Sequence, residues 1–218
     1  MNSHARARTA GALWVAAALV YLAGEAVTAA AFPGYSYATN YISDLGVPEV
    51  GEYQGRFIDS PLSLVMNIAF VASGALFFAA AILAFRATAT GPRKTFLVLA
   101  GIYGIGIAVV GLIHGSQASA DSGLGAFHVI GAAMAIIGGN FVAITASVAS
   151  RRPNAGYSRV ALALGVVGLV ALVMLQVDSR SADVTILPDG IWERIAVYTV
   201  TAWQLLTGIL LLASRKVP

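Results

Sequence analysis

Six stretches of the chain, each 19 to 25 residues long, run through apolar residues with scarcely a charge: 11–31, 62–85, 95–113, 124–148, 158–177 and 191–213. About 20 such residues are what a helix needs to cross a hydrocarbon layer of roughly 30 Å, and in that layer the backbone must satisfy its own polar groups. The sequence therefore predicts an all-α polytopic membrane protein, a six-transmembrane-helix bundle forming a single unit over 1–218 with one long loop, 32–61. Composition agrees. The chain is 58% apolar and 11% charged, where a soluble domain runs at about 45–50% and about 25%, so an ordinary water-facing globule is excluded. With no cysteine there can be no disulfide, thiolate metal site or cysteine nucleophile.

The breaks between spans carry turn chemistry: Phe32-Pro33-Gly34, Gly91-Pro92, Arg151-Arg152-Pro153-Asn154 and Pro188-Asp189-Gly190. Proline fixes φ and removes a donor there. Lys and Arg then orient the bundle, because short cytoplasmic loops hold the positive excess. With both termini inside, Arg6, Arg8, Arg86, Arg93, Lys94, Arg151, Arg152, Arg159, Arg215 and Lys216 are cytoplasmic, and only Arg56, Arg180 and Arg194 lie outside. The acids Asp44, Glu49, Glu52, Asp59, Asp121, Asp178, Asp183, Asp189 and Glu193 are all external. An N-in/C-in bundle follows. Arg6, Arg8 and Ala29-Ala30-Ala31 resemble the flanks of a cleaved leader, but the apolar run between them is long and Glu25 interrupts it, which favours a retained first span. Arg outnumbers Lys eleven to two and Ala, Gly and Val are abundant; this usage suggests a GC-rich bacterial genome and hence the inner, cytoplasmic cell membrane. No basic block stands beside aromatics, so nucleic acid is not an expected partner.

Polar residues within spans are costly and ask for a reason. Glu25 is the ionisable group of the first span, and it shares one helical face with Trp14, Tyr21 and Thr28, so that face should look into the bundle. It reads either as a carboxylate paired with Arg194 or a histidine, or as a proton-transfer or ligand-binding group. Asn67 and Asn140 are the other buried polar candidates. In the fourth span Gly131, Ala135 and Gly139 recur every four residues, the small-residue pattern that lets helices approach closely. His128 lies on the same face, and Asn140 should hydrogen-bond across helices. Gly101, Gly104, Gly106 and Gly111 in the third span read as packing positions, since no G-x-x-x-x-G-K follows to cradle phosphate.

Chemistry concentrates at the outer surface. The loop 32–61 is longer than a connection requires, and Tyr35, Tyr37, Tyr41, Tyr53 and Phe57 can seat it at headgroup depth. Folded back over the bundle, it would bring Ser43 and Asp44 towards His114, Asp121, His128, Gln176, Asp178, Glu193 and Arg194.

Four stretches carry a resemblance: Tyr41-Ile42-Ser43-Asp44-Leu45-Gly46, Val110-Gly111-Leu112-Ile113 with His128 after a short loop, Gly138-Gly139-Asn140, and Gly190-Ile191-Trp192-Glu193-Arg194-Ile195-Ala196-Val197-Tyr198. In this order they resemble the bacterial and archaeal membrane proteins known as domain of unknown function 998. The resemblance implies a six-helix integral membrane protein and brings no established reaction. Where that family often has a Phe-Pro-acid turn after the third span, this chain reads Ile113-His114-Gly115.

Three functions fit these residues. The most concrete is an outward-facing hydrolase or transferase acting on a lipid, with Ser43, Asp44, His128, Glu193 and Arg194 as the catalytic set. If His114, His128 and one acid, Asp44 first or else Asp121 or Glu193, converge, they would bind a zinc ion with an open position, the arrangement that activates water. The second is a non-catalytic binder or transporter of lipid or a lipid-like small molecule, with transport disfavoured because no span has a central proline or an inverted repeat. In the third, Ser43-Asp44 and Glu193-Arg194 form a latch fastening the loop to the bundle, since carboxylate–Arg pairs are strong and directional and an acid belongs in a helix's first turn.

Overall fold

The computed structural model describes residues 2–87, 92–151, 154–181 and 186–214. Gly91, Arg152, Pro153, Asp183, Arg215 and Lys216, all used in the turn and charge arguments, lie outside the described residues. Seven helices are present among those described: α1 (Ser3–Ala31), α2 (Ser63–Ala87), α3 (Arg93–Leu112), the short α4 (Gln117–Asp121), α5 (Gly125–Ser150), α6 (Ala155–Asp178) and α7 (Asp189–Ala213). All but α4 are long and apolar enough to cross a membrane. The protein is a six-helix membrane bundle, as the apolar runs predict.

Helix ends follow from local chemistry. α1 starts eight residues before the apolar run because Asn2 caps it, its side-chain oxygen accepting the Ala5 amide at 2.8 Å; N-terminal amides need such an acceptor. Asn154 does the same for α6 through the Tyr157 amide at 3.0 Å. The linker between α3 and α5 contains α4, capped by Ser116, which hydropathy alone did not reveal.

In sequence order the long helices form a closed ring, each packing on the next and α7 returning to α1, with α7 also touching α5. The seams are made of small residues. A side-chain carbon on Gly106 would come within 2.6 Å of the Ala135 amide and the Gly131 carbonyl, and one on Gly139 within 2.8 Å of Tyr103 and Val200. The Gly131/Ala135/Gly139 stripe therefore joins α5 to α3 and α7 within one chain. Asn140 adds polar glue: its amide donates to the carbonyls of Ile136 and Ala196, both at 2.9 Å, and its oxygen accepts from Thr199 at 2.9 Å.

Through the ring runs an axis filled by aromatics from four helices. Trp14 meets Trp203 at 5.3 Å between ring centroids and Phe77 and Phe96 at 6.2 Å, while Phe77 stacks on Tyr103 at 4.2 Å. Edge-on and tilted contacts at these separations suit the ring quadrupoles. Trp14, Tyr21, Glu25 and Thr28 are all buried, so the shared face of α1 does point inward.

The loop over one end of the ring has its own structure. A 3-10 turn, Ile42–Gly46, is followed by a two-stranded hairpin of β1 (Gly51–Tyr53) and β2 (Arg56–Ile58), paired antiparallel with Glu52 opposite Phe57. Gln54 and Gly55 turn the hairpin with φ of 49° and 74°, the left-handed pair that a two-residue connection needs and that glycine adopts freely. Ile42, Leu45, Val47 and Ile58 are buried beneath it. The loop is thus a lid with its own apolar underside.

Candidate functional site

Asp44 sits at the third position of the 3-10 turn, so its carboxylate reaches back to the start of that turn. Oδ2 accepts the Tyr41 amide at 3.1 Å and the Asn40 side-chain amide at 3.2 Å. The hairpin then returns Arg56 to the same carboxylate in a forked pair, Nε to Oδ2 at 2.8 Å and the second nitrogen to Oδ1 at 3.2 Å. This bidentate geometry is the strong form of the carboxylate–guanidinium contact. The Arg56 guanidinium also lies over the Tyr41 ring, 4.4 Å from its centroid. Burial works against the Arg56 charge, but the hydrogen bonds and attraction of Asp44 outweigh it and hold its pKa above the usual value.

The first two turns of α7 fasten this cap to the ring. Glu193 Oε2 accepts the Ile42 amide at 2.5 Å, and Asp189 accepts the Tyr41 hydroxyl at 2.8 Å. Burial, and then the bond to Asp189, push the Tyr41 phenol well above its ordinary pKa, so it remains a donor. One Arg194 nitrogen donates to the carbonyls of Tyr37 and Asn40, both at 2.8 Å, and of Gly190 at 3.1 Å. The other meets the Tyr35 hydroxyl and lies 3.2 Å from Glu25 Oε1. Tyr198 donates to both Glu25 oxygens at 2.9 Å. Glycine at 190 makes the approach possible, because a side-chain carbon there would lie 2.5 Å from the Asn40 carbonyl.

The histidines occupy the neighbouring corner. His128 Nδ1 donates to the Ile113 carbonyl at 2.6 Å, which leaves Nε2 as the lone-pair nitrogen, facing Gly115. His114 Nε2 lies 3.1 Å from the Asn67 amide nitrogen, which also donates to the Gly46 carbonyl at 2.8 Å. Asn67 is thereby a strut between α2 and the lid.

Two hollows adjoin this layer. Beneath the cap, on the ring axis, a cavity of about 40 Å³ is lined by Tyr21, Ser43, Tyr103 and Glu193 among apolar side chains. On the flank, a groove of about 510 Å³ runs along the first half of α7 against Leu164 of α6; it is almost wholly apolar, with Tyr37 and Ala38 of the loop and Arg194, Tyr198 and Thr199 of α7 also on its walls.

The model of the family described as protein of unknown function (DUF998) matches residues 15–210, from the first span to the last turn of the ring. The chain belongs to this family. No curated protein and no solved structure matches it significantly. The DUF998 match takes in the lid, the cap, both histidines and the latch on α7, and it bears out the resemblance carried by the four sequence stretches.

Of the residues picked out for catalysis, Ser43 and Glu193 line one cavity that neither histidine lines. Among the described residues, no group of three His, Asp or Glu side chains is placed to hold a metal ion: Asp44 faces Arg56, His128 is turned to a backbone carbonyl, and His114 to Asn67. The loop is fastened to the bundle, but no direct pair joins Asp44 to Glu193 or Arg194 among the described residues. Asp44 closes on Arg56 inside the lid, whereas Glu193 takes a backbone amide and Arg194 takes backbone carbonyls and Glu25. Arg56, Asn40, Asp189, Tyr35 and Tyr198 were missed as members. One signal was available: Arg56 and Arg194 are two of the three bases that break the charge sorting, and each is held in an ion pair.

Proposed function

We propose that the protein is a non-catalytic lipid-binding protein of the cell membrane, N-in/C-in with its lid outside, which seats an acyl chain in the flank groove under the edge of the lid. The groove carries this reading. Its volume falls within the roughly 300–1,000 Å³ of small-molecule sites, and its apolar lining with a few polar groups at one end is the composition such sites have. It lies on membrane-spanning segments, where the surrounding solvent is lipid. Arg194 stands at the lid end of its wall, where its bonds to the Tyr37 and Asn40 carbonyls hold the loop against the head of the groove. The sorting of bases and acids supports the orientation.

The test is native mass spectrometry of the protein released from nanodiscs, comparing wild type with Ala202→Trp, which fills the groove from an exposed position. Retained lipid should fall several-fold in the variant while its melting profile stays put. Equal lipid retention would overturn the reading.

One observation favours a second reading, a lipid hydrolase or transferase: Ser43 and Glu193 share a cavity. Against it, Asp44, His128 and Arg194 are engaged with structural partners, so their hydrogen bonds are spent on the fold. Lipid turnover by purified protein that vanishes in Ser43→Ala would establish this alternative.

A further inference from the structure

The axial cavity under the cap has a hydrogen-bond account that does not balance within the protein. Tyr21 is 4% exposed, yet its hydroxyl has no hydrogen-bond partner among the described residues. The Ser43 hydroxyl has none among them either. Tyr103 accepts from the Gln204 amide at 3.3 Å, which leaves its own proton without an acceptor. Glu193 offers the only carboxylate in the cavity wall, and its one hydrogen bond is the Ile42 amide on Oε2. Three hydroxyl protons and a carboxylate oxygen therefore converge on one space without satisfying one another. Leaving buried polar groups unpaired is costly, and structures meet that cost with internal water, typically about three hydrogen bonds to each molecule.

We infer that this cavity is a hydration site, holding water molecules that accept from the Tyr21, Ser43 and Tyr103 hydroxyls and donate to Glu193. A cavity holds a water once it offers roughly 10–15 Å³, so about 40 Å³ admits about two or three. The mixture of donors and acceptor suits water, which supplies both functions. Further along the axis Trp14, Phe77 and Trp203 pack ring on ring, and the Trp203 indole nitrogen is satisfied by Tyr157, which makes Trp203 the reference side chain. The site is separate from the flank groove and stands whether or not lipid binds there.

X-ray hydroxyl-radical footprinting, which oxidises side chains beside bound water, tests it on the full-length protein in nanodiscs. Tyr21 should be modified several-fold faster than Trp203, which is fully buried and has its indole nitrogen bonded to Tyr157. Filling the cavity separately with Ala135→Leu or Ala132→Leu should suppress Tyr21 modification several-fold and leave Trp203 unchanged. Wild-type Tyr21 modified no faster than Trp203 overturns the site without any variant, and so does labelling that survives a folded cavity-filling variant.

Discussion

Arg194 ties together several parts of the architecture, because its two terminal nitrogens meet three carbonyls, a phenol and Glu25. Lysine cannot replace it, since a single ammonium has no planar fork to hold carbonyls and carboxylate together. Removing one partner of a buried pair leaves the other charge stranded, a loss of about 3–5 kcal/mol. Arg194→Ala should therefore lower the unfolding free energy in detergent by that order, with Arg194→Lys in between. Replacing both members, Glu25→Leu with Arg194→Met, should recover much of the loss; a double variant as unstable as the single one would show that the carbonyl contacts dominate. Asn140 is a smaller case. Its contacts to Ala196 and Thr199 are of the interhelical kind worth about 1 kcal/mol, so Asn140→Ala should produce a shift of that size in the same unfolding measurement.

At the scale of elements, the glycine seams and the lid differ in how they could be foreseen. The four-residue stripe in α5 was visible in the sequence because helical periodicity places its members on one face, whereas its partners, α3 and α7, follow only from the fold. Seam glycines are not equal, however. On Gly106 a side-chain carbon would strike backbone at 2.6 Å, whereas on Gly101 it would meet only Phe78 at an ordinary 3.4 Å. Gly106→Ala should cost about 1–3 kcal/mol through overpacking, while Gly101→Ala should be neutral or slightly stabilising in a thermal melt. The spans were legible because hydropathy is a local property, read without knowing what touches what. The lid was not, since the Asp44–Arg56 pair depends on a hairpin turn whose left-handed Gln54 carries no strong sequence signal, and the grip of Glu193 on Ile42 joins residues at opposite ends of the chain. Ser43 and Glu193 were legible as neighbours of the same layer, but the turn of His128 towards the Ile113 carbonyl depends on a linker geometry that periodicity does not encode.

For the whole molecule, the testable quantity is orientation. The natural chain has no cysteine, so single-cysteine variants report without background. In intact cells a membrane-impermeant maleimide should label Asp121→Cys beside the lid and spare Lys94→Cys at the other end; both positions are exposed. The reverse pattern would invert the bundle. Ring closure has a consequence for biosynthesis as well. Glu25 enters the membrane with the first helix, but its partners Arg194 and Tyr198 belong to the last. Until α7 is made, the nascent chain carries an acid without its counter-charge in a span that must already be threaded. A carboxyl in that position meets the cost by holding its proton, and synthesis of the final span, which brings Arg194 and Tyr198, completes the contacts that join the last helix to the first.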